Sequence, residues 1–549
     1  MTLLAQITPQ IPVPDVAWSS FAPELVPTIT ALVLLLLAVA KGREQLVAVP
    51  SGVLSAGLGV WLVTAGFVTP GAVAIVLGVA APALVFAFPG RGSMVQAWGA
   101  GLAMAGALVL TGWQYVAVMS TDVGAIVPTS TLGGAIALDG IALFTRITVY
   151  LTGLLVIPLG YGYLQERRIN RAEVEPLLLL SVVGMVALGT ANDLITLFIA
   201  LEVFSLALYV LAGLARRDRR SQEASLKYFV LGSVASAILL YGMALLYVAT
   251  GELGLPAIGG TLGLITTPRF VAALGLALVT VGIGFKVSLA PFHLWTPDVY
   301  QGSPTSVTAF MAAATKAAGF AALLRLYLVA FPQLSSLWIP VLSVLAAITM
   351  LYGAYLAIVQ RDIKRMLAYS AVTHAGYATI GVVAFSDAGL SATLWYLLTY
   401  AVATIGAFGC VIAIERSRRG EVGLVDLRGL GKTSPAVAGI LALCLLSLAG
   451  IPATAGFIGK LTVFEAGVEA GLTWLVVIGV ISSVIAAFFY LRIAGMMFLE
   501  DADETRGVPL VSSGLSAGLV VSATFVLALG IQPRLLLELA ENAAALVIR

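Results

Sequence analysis

Apolar residues run in stretches of eighteen or more along nearly the whole chain, parted by short polar connections rich in arginine. A hydrocarbon core about 30 Å thick takes about 20 residues per helical crossing, so these stretches predict transmembrane helices. The spans fall at 24–40, 49–67, 71–88, 97–118, 140–163, 175–190, 192–213, 223–249, 270–290, 304–329, 336–359, 363–384, 389–415, 435–466, 472–498 and 510–530. About sixteen spans are expected, with about fourteen as the alternative.

Two spans are interrupted, each beside a lysine. In GFKVSLAPFHLWTPDVYQGSP, from Gly284 to Pro304, Lys286 precedes Pro291, Pro297 and Pro304. In GIPATAGFIGK, from Gly450 to Lys460, the break is marked by Pro452, Gly456 and Gly459. Proline removes an amide donor and breaks the helical ladder. Carbonyls freed at membrane depth are tolerated only inside protein or along a wet cavity. Paired broken helices in two halves point to a transport site on inverted repeats. A fainter echo is the pair of basic connections RRDRRSQEASLKY and QRDIKRMLAYS, each running directly into a span.

Composition agrees with the pattern. The chain has 549 residues, 60% hydrophobic and 10% charged, against about 25% charged in soluble proteins. The reading is an all-α polytopic membrane protein, and the net charge of +2 gives no reason to expect a nucleic-acid partner. Arg167, Arg168, Arg171, Arg216, Arg217, Arg219, Arg220, Arg361, Lys364 and Arg365 fall on connections of one side, while the other carries Arg269, Arg534 and Arg549. The positive-inside rule then places both termini on the outer side. Residues 1–23 hold no basic residue, so a signal-peptide n-region is not expected and the first span is read as retained. Cys410 and Cys444 sit in apolar spans without a CxxC neighbour, and are read as small buried hydrophobes. No metal site is expected, and neither a GxGxxG after a strand nor a cysteine cluster is present to hold a dinucleotide or an iron–sulfur centre.

Ionisable residues inside the spans carry the candidate chemistry. The helical rise puts Glu202 about 21 Å, Lys227 about 10 Å, Lys316 about 18 Å and His374 about 14 Å from the arginine-rich ends of their helices. Such groups cost about 2.5 to 3.5 kcal/mol each at mid-membrane and are functional candidates by default. Arg146, Arg325 and Arg492 are read instead as snorkelling to an interface. Burial lowers a lysine's proton affinity and a nearby carboxylate raises it, so a row of such groups can hold and release protons. Glu202, Lys227, Lys286, His293, Lys316, His374 and Lys460 form the candidate route. Haem ligation by His293 and His374 fits poorly, one lying in a broken segment and the other mid-helix. A bare scaffold would not need these buried charges.

The segments around Lys286, EVFSLALYVL around Glu202, SQEASLKYF, ATKAAGF around Lys316, RDIKRMLAYSAVTHAGY and LSLAGIPATAGFIGKL resemble the antiporter-like membrane subunits of proton-pumping NADH:quinone oxidoreductase, respiratory complex I. The pattern is most similar to the N-type branch, over about residues 138–530. Lysine at 460 separates it from the M-type, which resembles it with glutamate there; the short tail separates it from the L-type, with its long lateral helix.

Residues before 138 depart from the shortest family members, holding up to four spans instead of two and so an extra hairpin, while the resemblance implies a fourteen-helix core of two inverted five-helix repeats, each with a broken helix. It implies N-terminal helices over 1–137, the proton-translocating core over 138–530, and a short tail over 531–549. Glu202 matches the family's essential glutamate, Lys227 the next helix's lysine, Lys286 and Lys460 the broken-helix lysines, Lys316 the central lysine, and His293 and His374 histidines of the hydrophilic axis.

The resemblance further implies a subunit that translocates protons while partner subunits holding FMN, iron–sulfur clusters and quinone oxidise NADH; no cofactor is expected in this chain. M-type, K-type, J-type and A-type membrane subunits would be its neighbours, in a bacterial inner membrane with the termini periplasmic. The rival is a D-type subunit of a multi-subunit sodium/proton antiporter.

Overall fold

The computed structural model describes residues 18–39, 72, 73, 76, 92–120, 129–264, 268–418, 422–501 and 507–547. The expected spans 49–67 and 71–88 lie outside the described residues, apart from 72, 73 and 76. Among the described residues, eleven helices are long and apolar enough to cross a membrane, and Val174–Thr190 and Pro435–Ala449 are shorter apolar helices.

The elements are α1 (Trp18–Val39), α2 (Gly92–Ser120), α3 (Gly140–Glu166), α4 (Val174–Thr190), α5 (Leu194–Ala212), α6 (Arg219–Thr250), α7 (Leu255–Leu262), α8 (Arg269–Val287) and α9 (Trp295–Gly302). Next come α10 (Thr305–Ala330), α11 (Ser335–Ile358), α12 (Ile363–Val383), α13 (Asp387–Arg418), α14 (Pro435–Ala449), α15 (Ala455–Glu469), α16 (Thr473–Leu499), α17 (Ser513–Ile531) and α18 (Arg534–Ala545). A two-stranded antiparallel hairpin, Thr129–Thr131 with Ile136–Leu138, precedes α3.

Two sets of helices follow the same order. The first is α4, α5, the 32-residue α6, the broken pair α8 and α9, then α10. The second is α11, α12, the 32-residue α13, the broken pair α14 and α15, then α16. Helix α4 starts at the arginine-rich end of the bundle whereas α11 runs toward it, so the second set is inverted relative to the first. The apolar windows of α10 and α13 are wholly buried, while those of α6 and α16 are mostly open to their surroundings. A helix apolar on all sides belongs in an interior, and these two form the centre of the molecule.

The sequence reading of two arginines is corrected here. Arg325 does not snorkel: it is fully buried, and its guanidinium meets Asp139 through two bonds of 3.0 and 2.6 Å while its Nε donates to the Gly189 carbonyl at 2.6 Å. Asp139 also caps α3, accepting from the Ala142 amide at 3.0 Å. One carboxylate therefore ties α3, α4 and α10 together at the end opposite the arginines. Arg146 is likewise buried, donating to Glu24 of α1 and Gln114 of α2 at 2.7 Å each. Both arginines face inward because a carboxylate waits there, and the bidentate fork suits guanidinium. Arg492 is exposed on α16.

The segment after α17, expected as a plain tail, contains the helix α18, which packs against α3 and α13. The approach is very close at Gly140, where an added Cβ would fall 1.7 Å from the Ala543 carbonyl oxygen. Only glycine leaves room for that backbone.

Candidate functional site

Both breaks are built alike. Helix α8 ends at Val287 because Ser288 takes a left-handed conformation, φ 63°, and its amide turns back toward Gly284 and Phe285. Helix α14 ends at Ala449 because Gly450 does the same, φ 83°, turning back toward Leu446 and Ser447. A left-handed residue just past the helix is the usual stop. It satisfies inner carbonyls and leaves the last one in need of a donor.

In each break a lysine supplies that donor. Lys316 Nζ, from α10, donates to the Val287 carbonyl at 2.8 Å. Lys460 Nζ, from α15, donates to the Ala449 carbonyl at 2.8 Å and to Ser483 Oγ of α16 at 2.8 Å, and lies 4.8 Å above the Tyr377 ring. Lys316 is 2% exposed and Lys460 5%. Among the described residues, neither makes an ion pair with a carboxylate. The partial negative charge of a helix C-terminus, about half an elementary charge, is what faces each ammonium. That field favours a cation far less firmly than a full carboxylate does.

Lys286 is held differently. Its ammonium donates to Ser205 Oγ at 2.7 Å and reaches Tyr209 Oη at 3.4 Å, both on α5. Four rings surround it, with centroids at 5.4 Å for Phe204, 5.5 Å for Tyr209, 5.9 Å for Tyr228 and 5.7 Å for Phe285. Ring faces are negative, so the cage offsets part of the burial cost. Glu202 and Lys286 are not in ion-pair contact. The Glu202 carboxylate accepts from Ser236 of α6, and the lysine binds Ser205, one turn further along the glutamate's own helix. Lys286 and Lys316 are adjacent links, since Lys316 binds the carbonyl of the residue after Lys286.

The histidines lie farther along the same interior. His293 is buried with its ring 5.1 Å from that of Tyr352, and its Nδ1 has no hydrogen-bond partner. His374 bridges helices, with Nδ1 2.5 Å from Tyr396 Oη and Nε2 3.2 Å from Tyr490 Oη. The Tyr300, Tyr400 and Thr404 hydroxyls are also buried, Tyr300 beside Thr315 and Tyr400 beside Thr404. Buried polar groups of this kind are normally met by protein or water. Their positions on α9 and α13 mark the interior as polar enough for water.

Lys227 stands apart from this buried row. Its side chain is 41% exposed and makes two ion pairs of 2.7 Å, with Glu223 and Asp298. Asp298 also receives Arg365 at 2.6 Å, so the cluster clamps α6, α9 and α12. Asp298 was not singled out in the sequence, although it sits in the first turn of α9, where an anion is favoured. Two further groups are buried, Lys364, read from the sequence as part of a basic connection, and Glu415, not singled out there. Lys364 donates to the Ser303 carbonyl at 2.7 Å, and Glu415 accepts from Thr305 Oγ1 at 2.7 Å. The signal for Glu415 was present: a carboxylate near the end of a long apolar run.

Gly450→Ala is expected to damage the second break. The new methyl would sit 2.8 Å from Lys460 Cδ on a backbone of positive φ, costing about 1 to 3 kcal/mol. A lowered unfolding midpoint of the purified chain, with impaired transport, is the expected result.

Known proteins are similar to this chain in sequence and fold. Residues 191–486 match the family described as NADH:quinone oxidoreductase/Mrp antiporter, TM. NADH-quinone oxidoreductase subunit N of Rhodococcus opacus (strain B4) is 44% identical over 460 residues, 76% of this chain and 85% of that one. Its namesake in Trichlorobacter lovleyi is 38% identical over 483 residues, 87% of this chain and 97% of that one. Among solved structures, a chain of respiratory complex I from Thermus thermophilus with bound aureothin gives a TM-score of 0.69 at 34% identity, covering 86% of this chain and 99% of that one. A chain of the Mrp complex from Dietzia sp. DQ12-45-1b gives 0.73 at 24% identity, covering 90% and 97%. At that identity the likeness is one of fold.

Proposed function

The chain belongs to the NADH:quinone oxidoreductase/Mrp antiporter membrane family, among relatives named NADH-quinone oxidoreductase subunit N, and from that premise we propose how its buried lysines move protons. It is a membrane subunit of a proton-pumping NADH:quinone oxidoreductase. The sodium/proton antiporter reading is weaker, since the Mrp likeness is one of fold while the named subunit N relatives are 38–48% identical.

The arginine-rich end faces the inner side and both termini the outer side of a bacterial inner membrane, on the charge asymmetry of the connections. Glu202 and Lys286 load a proton from the inner half, with Ser205 between them. Lys316 takes it at the first break, His293 and His374 carry it along the water-lined interior of α10 and α13, and Lys460 releases it outward from the second break. Lys227, through Asp298, positions α9 at the entry. Redox chemistry belongs to partner subunits that bind NADH, flavin, iron–sulfur clusters and quinone; M-type, K-type, J-type and A-type subunits are the membrane neighbours.

One observation carries the reading: at both breaks a buried ammonium is held by a freed helix carbonyl. A lysine held by a dipole can be deprotonated when the break shifts, because no carboxylate is left stranded. Lys286→Ala and Glu202→Ala, each in the intact complex, are expected to lower NADH-driven proton translocation by about tenfold, or 1.4 kcal/mol on the transfer step. Unchanged translocation in both would sink the proposal.

A further inference from the structure

A cavity of about 770 Å³ opens at the arginine-rich end, between the α3–α4 connection, the α5–α6 connection and the start of α10. That is the size of a site for a compact organic ligand. Asp218 and Glu415 are the acids among its described lining residues, against seven arginines and Lys364. Glu415 is already engaged by Thr305, and the Asp218 side chain caps the Arg220 amide at the start of α6.

Four of the arginines meet no acid among the described residues. Arg168, Arg171, Arg217 and Arg219 form no ion pair among the described residues, whereas Arg216 reaches Glu173 at 3.4 Å. Arg171 Nε and Ser303 Oγ are buried with no hydrogen-bond partner at all. The contrast with the other basic patch at this end is direct. There Arg428 meets Glu500 at 2.7 Å and Lys432 meets Asp501 at 2.6 Å, and the Lys432 ammonium holds the Asp501 carboxyl below its usual range. Among the described residues, positive charge around the cavity thus exceeds the acids that meet it.

The surroundings say what suits that charge. Below the α5–α6 connection, Leu206 and Val210 of α5 and Leu226 and Phe229 of α6 are turned outward. A ligand whose phosphates sit among the arginines would have apolar surface beneath it for acyl chains. Basic pockets between helices on this side of a membrane suit anionic headgroups, and arginine grips phosphate oxygens in a fork.

We propose that this cavity is a binding site for the phosphodiester headgroup of an anionic phospholipid, held by Arg171 and Arg217 with Ser303 Oγ at its floor. The cavity shares Gln301 and Gly302 of α9 with the proposed proton entry, but lipid retention is read without proton translocation, so the two readings fail separately.

The test uses the purified full-length chain in mixed micelles carrying cardiolipin, phosphatidylglycerol or phosphatidylcholine, with retained lipid counted by native mass spectrometry. Both anionic lipids are expected to be retained over phosphatidylcholine. Arg171→Gln with Arg217→Gln is expected to lower their retention by about twenty-fivefold, at about fivefold per arginine. Arg428→Gln, in the ion-paired patch, is expected to leave it unchanged, which separates the cavity from general surface charge. Equal retention of all three lipids overturns the proposal, as does an unaffected double variant. Release of the lipid by inorganic phosphate at matched phosphate concentration also overturns it, by pointing to a free anion. So does an intact complex in which a protein neighbour covers these arginines and no lipid phosphorus is retained.

Discussion

Lys316→Met is expected to leave the complex assembled and to cut NADH-driven proton translocation by about tenfold or more, at least about 1.4 kcal/mol on the transfer step. Methionine fills much the same volume and adapts to its surroundings. What it removes is the ammonium that binds the Val287 carbonyl. Leaving that carbonyl unmet costs about 1 to 3 kcal/mol, a structural loss that assembly can be checked for directly. Lys316→Arg separates the two roles. A guanidinium can restore the bond to the carbonyl but does not give up its proton in a protein. An assembled complex whose translocation stays low in the arginine variant, with any stability lost in the methionine variant recovered, is the expected result; translocation restored by arginine would mean that Lys316 only braces the break.

The largest expected effect on stability is at the Asp139–Arg325 pair. Both side chains are fully buried, and the contact joins residues 186 positions apart. Arg325→Met would leave the Asp139 carboxylate buried without its cation, costing about 3 to 5 kcal/mol. Adding Asp139→Asn to that variant removes the stranded charge while keeping an acceptor for the Ala142 amide, and most of the loss should return. Unfolding of the reconstituted chain reads both. A single variant as stable as the double would show that the pair contributes no charge-specific stability.

The sequence made the breaks and their lysines legible because proline and glycine punctuate a helix locally, and a lysine in an apolar run stands out without reference to anything distant. The expected breaks appear where Lys286 and Lys460 mark them. What could not be read was partnership. Arg325 and Arg146 looked like snorkelling arginines because Asp139 and Glu24 are 186 and 122 residues away. Lys227 looked like one of the buried row by count along its helix, yet α6 turns it toward Glu223 and Asp298 on a half-open side. Depth follows from spacing, but facing follows from packing. Likewise the five-residue π-helical turns on each side of Lys316–Arg325 left no mark in the apolar pattern; turns of that kind often accompany functional positions.

Two parts of the arrangement now explain each other. Inverted order brings the ends of α8 and α14 to corresponding points of the two sets, and each end offers a carbonyl that only a donor from elsewhere can satisfy. The buried lysines are those donors. Their cost in the membrane and the cost of the breaks are offset by the same two bonds.

The most direct test of that claim records proton uptake and NADH oxidation together in sealed inside-out vesicles bearing the complex, for the native chain and for Lys316→Met. The account predicts fewer protons moved per NADH oxidised, or a matching fall in both where the coupling is tight. An unchanged rate of oxidation with an unchanged number of protons per NADH would contradict it.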